Sequence, residues 1–289
     1  MTLTATGPNA EQIRFWNEVS AAKWIRFQRA IDEQIGPLGR LAMNKTSIRV
    51  GEGALDIGCG CGDTTLELAR RVGPSGLVVG LDVSALMLRE AERRARERGV
   101  SNARFWNSDA QTHAFSAAAF DVLYSRFGVM FFADPVRAFA NLREALRPGG
   151  RFAFVCWQAL EHNPWMGVPM AAAAREIPFP PPPEPHDPGP FAFSDPDRVR
   201  RILTDAGFAN IAIDGHRQVL PIGGRGGVDA AVEFLVQMGP TGAAVRQAGP
   251  SAESRVQAAV KAALTAFSGP EGVEMASATW IVLALRPLA

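Results

Sequence analysis

The sequence contains little cysteine and almost no excess of charge of either sign. Its 289 residues include three cysteines, and 30 Lys and Arg against 29 Asp and Glu leave a formal net charge of +1. Balanced charge gives no overall field that would attract a nucleic acid or an anionic membrane, although it leaves a local basic patch open. We expect no nucleic-acid partner. A hydrophobic content of 47% with 20% charged residues predicts a globular core.

Long apolar runs are also missing from the sequence. Nowhere do roughly 18 apolar residues follow one another, which argues against a helical membrane span. The first ten residues, MTLTATGPNA, lack the basic start and apolar centre of an export signal. Cys59 and Cys61 are too close in sequence to form an unstrained disulfide, and a low cysteine content fits a reducing compartment. We therefore expect a cytoplasmic protein with no membrane span.

Short apolar runs alternate with helix-length amphipathic segments from residue 54 to residue 157. This alternation is typical of βα units that build a parallel sheet. The proline-rich stretch that follows is suited to neither a helix interior nor a central strand, so we interpret it as an irregular cap. The predicted strands are 53–57, 76–81, 103–107, 120–125, 151–157, 209–215 and 277–287, and the predicted helices are 11–36, 64–72, 84–99, 134–147, 194–206, 228–238 and 253–267.

Two interpretations are open for the stretch ALDIGCGCGDTT, residues 54–65. Two cysteines one residue apart could be a metal or redox pair, whereas Gly58, Gly60 and Gly62 could form a loop that cradles a ligand. A zinc site would need two more ligands, and no His or second Cys pair stands nearby, so we expect no metal. A strand that ends at Ile57 and runs directly into glycines places a tight turn where open α/β sheets bind ligands. The ligand-binding interpretation is therefore favoured.

Acidic residues accompany three successive predicted strands. Asp56 precedes the first glycine, Asp82 ends the second strand and Asp109 follows the third. A carboxylate at the position of Asp82 is suited to the hydroxyls of a ribose, and Asp109 could meet an adenine amino group. Asp63 stands where a dinucleotide fingerprint needs its third glycine or alanine, which disfavours a nicotinamide cofactor. The pattern indicates a positively charged nucleoside, with helix caps or turns as the alternative role of these acids.

Five motifs occur in a characteristic order and spacing: ALDIGCGCG, GLDVS, WNSDA, FDVLYSRFGVMFF and LRPGGRFAFVCW. Together they resemble the class I S-adenosylmethionine-dependent methyltransferases, and among these the UbiE-like small-molecule branch. The resemblance is strong over about residues 50–157 and weak elsewhere. It implies S-adenosyl-L-methionine as the cofactor. It also implies an α/β, Rossmann-like fold: a seven-stranded, mostly parallel sheet with helices on both faces, an antiparallel last strand, and helical and irregular cap insertions.

The resemblance also implies roles for particular residues. The glycine loop would lie against the methionine moiety, Asp82 would bind the ribose, Met87 would pack on the adenine, and the aromatic N-terminal helix would form a lid. The expected cofactor-binding residues are Trp16, Trp24, Phe27, Asp56, Gly58, Cys59, Gly60, Asp82, Val83, Met87, Asp109, Ala110, Ser125 and Arg126. The expected substrate-pocket residues are Phe127, Met130, Trp157, His162, Trp165, Met166 and Phe193.

The expected organisation has six parts. They are a helical lid (1–48), the cofactor-binding core (49–157), a proline-rich cap (158–194), a continuation of the core (195–226), a helical cap (227–272) and a terminal core strand (273–289).

The reaction implied is in-line transfer of a methyl group to a small, moderately hydrophobic molecule in a desolvated pocket. His162 as a general base and Arg126 as the holder of an anion are the candidate catalytic residues, although such a transfer does not require a base. A non-catalytic protein that binds the cofactor or a nucleoside stays open, as does a nicotinamide-dependent oxidoreductase. A nucleic-acid methyltransferase is disfavoured because SRFGVMFF replaces an Asn/Asp-Pro-Pro-aromatic motif after the fourth strand. The sequence favours no particular oligomeric state.

Overall fold

The structure is a computed structural model that describes residues 3–179, 181, 184 and 186–288. Its strands are β1 (Gly53–Ile57), β2 (Leu77–Asp82), β3 (Ala103–Asn107), β4 (Phe120–Arg126), β5 (Leu146–Trp157), β6 (Ala209–Ile222), β7 (Ser268–Gly269) and β8 (Gly272–Leu285). The strand order is β3-β2-β1-β4-β5-β8-β6, and β7 pairs with β8. The strands from β3 to β5 in this order are parallel, whereas β8 is antiparallel to both neighbours. The expected mostly parallel sheet with an antiparallel last strand is confirmed. The two-residue β7, too short to show an alternating pattern, adds an eighth strand that the sequence did not predict.

Helices connect the strands and cover the sheet. The central strands β1, β2 and β4 are almost wholly buried, with Leu55 and Leu123 at 0% exposure, as expected for strands covered on both sides, whereas the edge strand β3 is half exposed. The helices are α1 (Ala10–Arg14), α2 (Ala21–Arg26), α3 (Gln28–Lys45), α4 (Asp63–Val72), α5 (Ala85–Glu97), α6 (Pro135–Ala145), α7 (Pro164–Ala173), α8 (Pro196–Asp205), α9 (Gly227–Gln237), α10 (Gly239–Ala248) and α11 (Pro250–Leu264). None of the described helices is both long and apolar enough to cross a membrane.

Local sequence explains where several helices begin. Ser84 Oγ accepts a hydrogen bond from the Met87 N–H at the start of α5. Asp134 and Asp195 cap α6 and α8 in the same way, each followed by a proline in the first turn. These side chains satisfy backbone donors that have no partner inside the helix. The helices therefore start at the ends of their strands or loops and leave the carboxyl edge of the sheet open.

The N-terminal region differs from the single helix predicted over residues 11–36. It is divided into α1, a π-helical turn (Phe15–Val19), α2 and α3, and α3 continues to Lys45 with Pro37 inside it. Apolar periodicity predicts a helix but does not show such breaks, because residues on both sides of a break keep similar spacing. The π-helical turn carries Trp16 and Asn17, both of which make contacts at the site described below.

The proline-rich segment after residue 158 is not irregular throughout, which corrects the sequence-based prediction. Residues Pro164–Ala173 form α7, with Pro164 in the first turn, where a missing N–H is harmless, and Pro169 in the interior. Residues 180, 182 and 183 of the proline run lie outside the described residues. A second helix that the sequence did not predict, α10, begins with Gly239 and Pro240. Its two glycines weaken the helical pattern, which is why it was missed.

Candidate functional site

A cavity of about 420 Å³ lies at the carboxyl edge of the parallel strands, between the sheet, the N-terminal helices and the α9–α10 region. Its volume is typical of small-molecule sites, and most of its wall is apolar. The expected site residues that line it are Trp16, Trp24, Gly58, Cys59, Gly60, Asp82, Val83, Met87, Asp109, Ala110, Arg126, Phe127, Met130, Trp157, Trp165 and Met166. Five expected residues do not line it: Phe27, Asp56, Ser125, His162 and Phe193.

The glycine loop follows β1 directly and faces the cavity. Gly58, Gly60 and Gly62 have φ of +68°, +54° and +82°, in the left-handed region that favours glycine. A Cβ on Gly58 would lie 2.9 Å from the Gly128 Cα, so the loop and the segment after β4 touch backbone to backbone. A Cβ on Gly60 would meet nothing within 4 Å. Gly60 therefore leaves open space on the cavity side, which a ligand could occupy.

Asp82 fixes the glycine loop to the end of β2. One of its carboxylate oxygens accepts a hydrogen bond from the Gly60 N–H, and the other accepts one from the Ser84 N–H, both at 2.8 Å. Burial raises the pKa of this carboxyl group, and the backbone N–H donors act in the opposite direction. Each oxygen keeps a further lone pair, so the arrangement leaves acceptors for ligand hydroxyls at the cavity wall.

Asp56 is buried behind the loop and does not reach the cavity, which corrects its assignment to the cofactor-binding set. Its Oδ2 accepts hydrogen bonds from the hydroxyls of Thr64 and Thr65, each at 2.6 Å, at the start of α4. Burial raises the pKa of Asp56 to about 6, against the opposing effect of the two hydroxyl donors. Asp56 therefore holds the start of α4 and the glycine loop in place from inside the fold.

Ser125 likewise supports the site without lining it. Its hydroxyl donates to the Ile57 carbonyl at 2.7 Å and accepts from the Gly128 N–H at 3.2 Å. Because Ser125 is fully buried, it links the ends of β1 and β4 from inside the fold. Its predicted contact with the cofactor is replaced by this supporting role.

Asp109 lines the cavity, but its oxygens already have partners in the chain. The Asn9 Nδ2 donates to both of them at 2.9 and 3.0 Å, and the Gln111 N–H donates to one at 2.9 Å. Asn9 belongs to the N-terminal segment, so Asp109 anchors the lid as well as facing the cavity. Its contact with an adenine stays a prediction.

A second asparagine of the lid binds the loop after β2. Asn17 donates to the Val83 carbonyl at 3.0 Å and accepts from the Ala85 N–H at 3.1 Å. The neighbouring Trp16 packs edge-to-face against Trp24 and against Phe131, with ring centroids 5.6 and 5.1 Å apart. Polar contacts at two strand ends, and aromatic contacts between them, thus hold the N-terminal segment against the cavity; its role as a lid stays a prediction.

Phe27 does not line the cavity, contrary to the prediction. Its ring packs edge-to-face on Phe234 of α9 with centroids 5.5 Å apart. It therefore joins the lid to the helical cap.

Arg126 lines the cavity with a guanidinium group that is held by two acids. It pairs with Asp63 at 2.9 Å and with Asp32 at 3.3 Å, and Arg94 completes the network by pairing with Asp32 at 2.8 Å. Asp63, which replaces the third glycine of a dinucleotide fingerprint, therefore has a defined partner. Since its guanidinium group is already paired with Asp32 and Asp63, Arg126 is poorly placed to act on a substrate.

The part of the cavity where the substrate is expected has aromatic walls. Phe127 and Trp157 are stacked with centroids 4.1 Å apart, and Trp165 packs at 5.1 Å from Trp157. Phe127 has φ of +60°, an unusual value for a bulky residue and one that often marks a functional site. Met130 and Met166 complete this wall.

Two residues assigned to the substrate pocket lie elsewhere. Phe193 is buried in an aromatic cluster with Phe139 and Phe154. His162 is exposed, in a short 3-10 helix before α7. Among the described residues no histidine lines the cavity, so the proposed general base at His162 lacks support from the geometry.

The structure adds residues that the sequence analysis missed. Three glutamine oxygens and one indole N–H are buried without a hydrogen-bond partner among the described residues, and all four residues line the cavity: Gln12, Gln28, Gln34 and Trp165. Unpartnered buried polar atoms are costly, so this wall is suited to a bound molecule that supplies partners. Lys23, Gly128 and Arg246 also line the cavity. Their role depends on partners distant in sequence, which no local pattern reveals.

Burial also determines the chemical behaviour of the two loop cysteines, Cys59 and Cys61. It raises the pKa of Cys59 well above its usual range and that of Cys61 to about 12. Thiols that keep their protons are poor nucleophiles and metal ligands. Among the described residues, no group of three or more His, Cys, Asp or Glu is arranged to hold a metal ion. Cys59 and Cys61 are therefore small buried side chains of the turn.

The residues present fit S-adenosyl-L-methionine. Asp82 offers acceptors for a ribose, the apolar Val83, Met87 and Ala110 form a slot suited to a flat base, and the open face of Gly60 leaves room for the methionine chain. The acids at this end of the cavity suit a cationic ligand better than a diphosphate.

Residues 54–150 match the family described as methyltransferase domain. The match contains β1 to β4, the glycine loop, Asp82 and Asp109. Residues 54–150 thus carry a methyltransferase domain, and the expected cofactor, S-adenosyl-L-methionine, agrees with this match.

Curated relatives agree with this assignment. The aklanonic acid methyltransferase DauC of a Streptomyces species is 39% identical over 118 residues, which cover 41% of this chain and 54% of that protein. The ubiquinone/menaquinone biosynthesis C-methyltransferase UbiE of Idiomarina loihiensis is 35% identical over 113 residues, or 39% of this chain and 45% of that protein. The expected similarity to UbiE-like small-molecule methyltransferases is confirmed over these residues. The chain spans about half the length of the curated relatives that it matches.

A solved structure supports the fold over a longer stretch. The YcgJ protein of Bacillus subtilis superposes with a TM-score of 0.58 and 16% identity, covering 86% of this chain and 97% of that one. At this identity, the likeness concerns the fold alone.

Proposed function

We propose that this protein is an S-adenosylmethionine-dependent methyltransferase acting on a small, moderately hydrophobic molecule. The observation that carries the proposal is that one cavity joins two chemically different halves. One half is formed by the glycine loop and Asp82, and the other by Phe127, Trp157 and Trp165. A donor and an acceptor held side by side in such a cavity can meet without diffusing.

The cofactor, when bound, supplies a methyl group activated by a sulfonium centre. The chain contributes position and exclusion of water. The open backbone of Gly60 would allow close approach of the methionine part, and Asp82 would hold the ribose. Aromatic walls keep the acceptor dry, which favours a reaction whose charge is dispersed in the transition state. Since His162 is exposed and Arg126 is engaged by Asp32 and Asp63, we assign the catalysis to alignment and desolvation and not to a general base.

We also propose the functional division of the chain into lid (1–48), core (49–157, 195–226 and 273–289) and caps (158–194 and 227–272). The contacts of Asn9 and Asn17 support the lid, and the lining residues of α7, α9 and α10 support the caps. A small-molecule partner fits the cavity better than a nucleic acid would, given the net charge of +1. Three free, buried thiols fit a cytoplasmic setting.

Calorimetric titration with S-adenosylhomocysteine tests the cofactor assignment. We expect binding by the wild type and a loss of at least about a hundredfold in Asp82→Ala, which removes the ribose acceptors and the anchor of Gly60. The control is Asp205→Ala, an exposed acid at the end of α8. No binding by the wild type, or equal binding by Asp82→Ala, would contradict the proposal.

A second experiment separates an enzyme from a protein that only binds the cofactor. The protein is incubated with methyl-labelled S-adenosylmethionine and a small-molecule extract. A methylated product supports an enzyme, whereas binding without product under all conditions supports a regulatory role.

A further inference from the structure

Two basic side chains from different parts of the chain line the cavity. Lys23 belongs to α2 of the lid, and Arg246 belongs to α10 of the helical cap. Beside them the lid meets the cap, where Arg26 pairs with Glu233 and Phe27 packs on Phe234. Arg246 is exposed and Lys23 is half-buried, so the two cations lie at the entrance of the cavity.

Neither cation has an acidic partner among the described residues. Arg26, three residues after Lys23, is ion-paired, whereas Lys23 itself has no carboxylate within 4.0 Å. Arg246 donates only to the Gln237 carbonyl, at 3.3 Å. Burial lowers the pKa of Lys23, and the charge of Arg246 lowers it further, so the two charges are close enough to repel. An anion placed between them would remove this repulsion.

Charge is divided between the two ends of the cavity. The acidic lining residues Asp82 and Asp109 are at the strand ends, where the nucleoside is expected. The third lining cation, Arg126, is neutralised by its acids. The entrance therefore presents positive charge without a negative counterpart, while the cofactor end presents negative charge.

The cavity offers further polar contacts that have no partner in the chain. Gln34 is 1% exposed, and its Oε1 has no hydrogen-bond partner among the described residues. The Trp165 indole N–H is unpartnered as well and stands beside the stacked rings of Phe127 and Trp157. An indole N–H donates to oxygen, and a stacked aromatic wall suits a flat molecule.

On the basis of the proposed function, we infer that the methyl acceptor is a flat, apolar acid whose oxyanion is held between Lys23 and Arg246. Its rings lie against Phe127 and Trp157, and Trp165 donates to one of its oxygens. Lys23 and Arg246 are positioning residues in this arrangement, because they orient the acceptor from the entrance of the cavity and take no part in bond making.

The test compares two probes of equal size, 2-naphthoate and the uncharged 2-naphthamide, by calorimetry on protein saturated with S-adenosylhomocysteine. We expect the wild type to bind naphthoate about tenfold more tightly than naphthamide. The double variant Lys23→Gln/Arg246→Gln should lose this preference and keep its affinity for S-adenosylhomocysteine. Lys23→Arg should retain the preference, because it keeps the charge.

A matched control distinguishes a specific anion site from the general electrostatic field of the protein. Arg29→Gln/Arg255→Gln removes the same charge from exposed positions of α3 and α11, and it should leave the preference unchanged. The inference is overturned if the wild type binds the two probes equally or binds neither. It is also overturned if Lys23→Gln/Arg246→Gln keeps the preference for naphthoate, or if the control loses it equally. If the wild type fails to bind S-adenosylhomocysteine, the proposed function is wrong. The preference for naphthoate, measured on the protein without S-adenosylhomocysteine, then still shows whether Lys23 and Arg246 form an anion site.

Discussion

Asn9 and Asp109, one hundred positions apart, are joined by two hydrogen bonds from the Asn9 Nδ2 to the two carboxylate oxygens. The Asn9 Oδ1 also accepts from the Ala133 N–H at 2.8 Å. All the hydrogen-bonding groups of one side-chain amide thus connect the N-terminal segment with the loops after β3 and before α6. Opening the lid requires that these bonds break together.

Asn9→Ala should loosen the lid. Bonds to a charged acceptor are stronger than average, so losing them should speed hydrogen exchange in residues 10–26 by about tenfold to a hundredfold. Asn9→Asp should have a larger effect, because it places two carboxylates about 3 Å apart. Hydrogen-exchange mass spectrometry measures both. The control is Asn44→Ala, which removes an exposed amide bonded to Arg71; if it has the same effect as Asn9→Ala, then Asn9 does not hold the lid.

Gly60→Val should abolish binding of S-adenosylhomocysteine, since a β-branched residue is strained at φ of +54° and its side chain would fill the open space over the loop. Cys59→Ala with Cys61→Ala should change the affinity by less than about threefold. Calorimetry provides both affinities. A large loss in the cysteine variant would show that the thiols, and not the glycines, determine binding.

Arg126→Gln should destabilise the fold by about 3 kcal/mol, because it leaves Asp32 and Asp63 partly buried without a full set of partners. Urea unfolding measures the change. Arg147→Gln breaks a more exposed pair with Asp121 and should cost less than about 1 kcal/mol. If Arg126→Gln lowers the free energy of unfolding equally little, Arg126 is again a candidate for a direct role in the reaction.

Asp56 should give the protein a specific dependence on pH. Its folded pKa of about 6 lies above the ordinary value of 3.8, so folding favours the protonated form. The stabilisation is fully present below the ordinary value and is lost as the pH rises through about 6. The free energy of unfolding of the wild type, minus that of Asp56→Asn, should fall by on the order of 3 kcal/mol between about pH 4 and pH 7.

Urea unfolding across this pH range tests the prediction, with Asp205→Asn as the exposed control. A flat difference curve for Asp56→Asn, or an equal slope for the control, would show that Asp56 does not titrate as its burial requires.

The sequence predicted the parallel core well because each βα unit carries its own signal. The strands at 53–57 and 103–107 have the predicted boundaries, since short runs followed by glycine or polar turns leave little freedom. The division of the N-terminal helix and the existence of α7 and α10 were missed. These elements owe their form to packing across the cavity, and Pro169, Gly239 and Gly242 obscure the helical pattern.

For the site, the sequence predicted the cavity-lining glycines and Asp82, because those positions are fixed by the strand that precedes them. It could not distinguish residues facing the cavity from residues one position away that face the core. Ser125 is turned inward whereas Arg126 reaches the cavity wall, and Asp56 is buried beneath the loop. The missed residues Asn9, Lys23 and Arg246 depend on contacts between distant parts of the chain.

The long antiparallel strands β6 and β8 have a consequence for how such an enzyme could change its substrate. Ile222 and Val273 are register partners, so the chain leaves the sheet and returns to it at adjacent points. Apart from β7, which pairs with β8, the residues between them form α9, α10 and α11 and are joined to the core by the two strands β6 and β8. A segment whose ends meet can be exchanged at little cost in loop closure. Residues 223–272 could therefore be replaced as a unit, by recombination or design. Such a replacement would alter the choice of acceptor and leave the residues around the glycine loop and Asp82 unchanged.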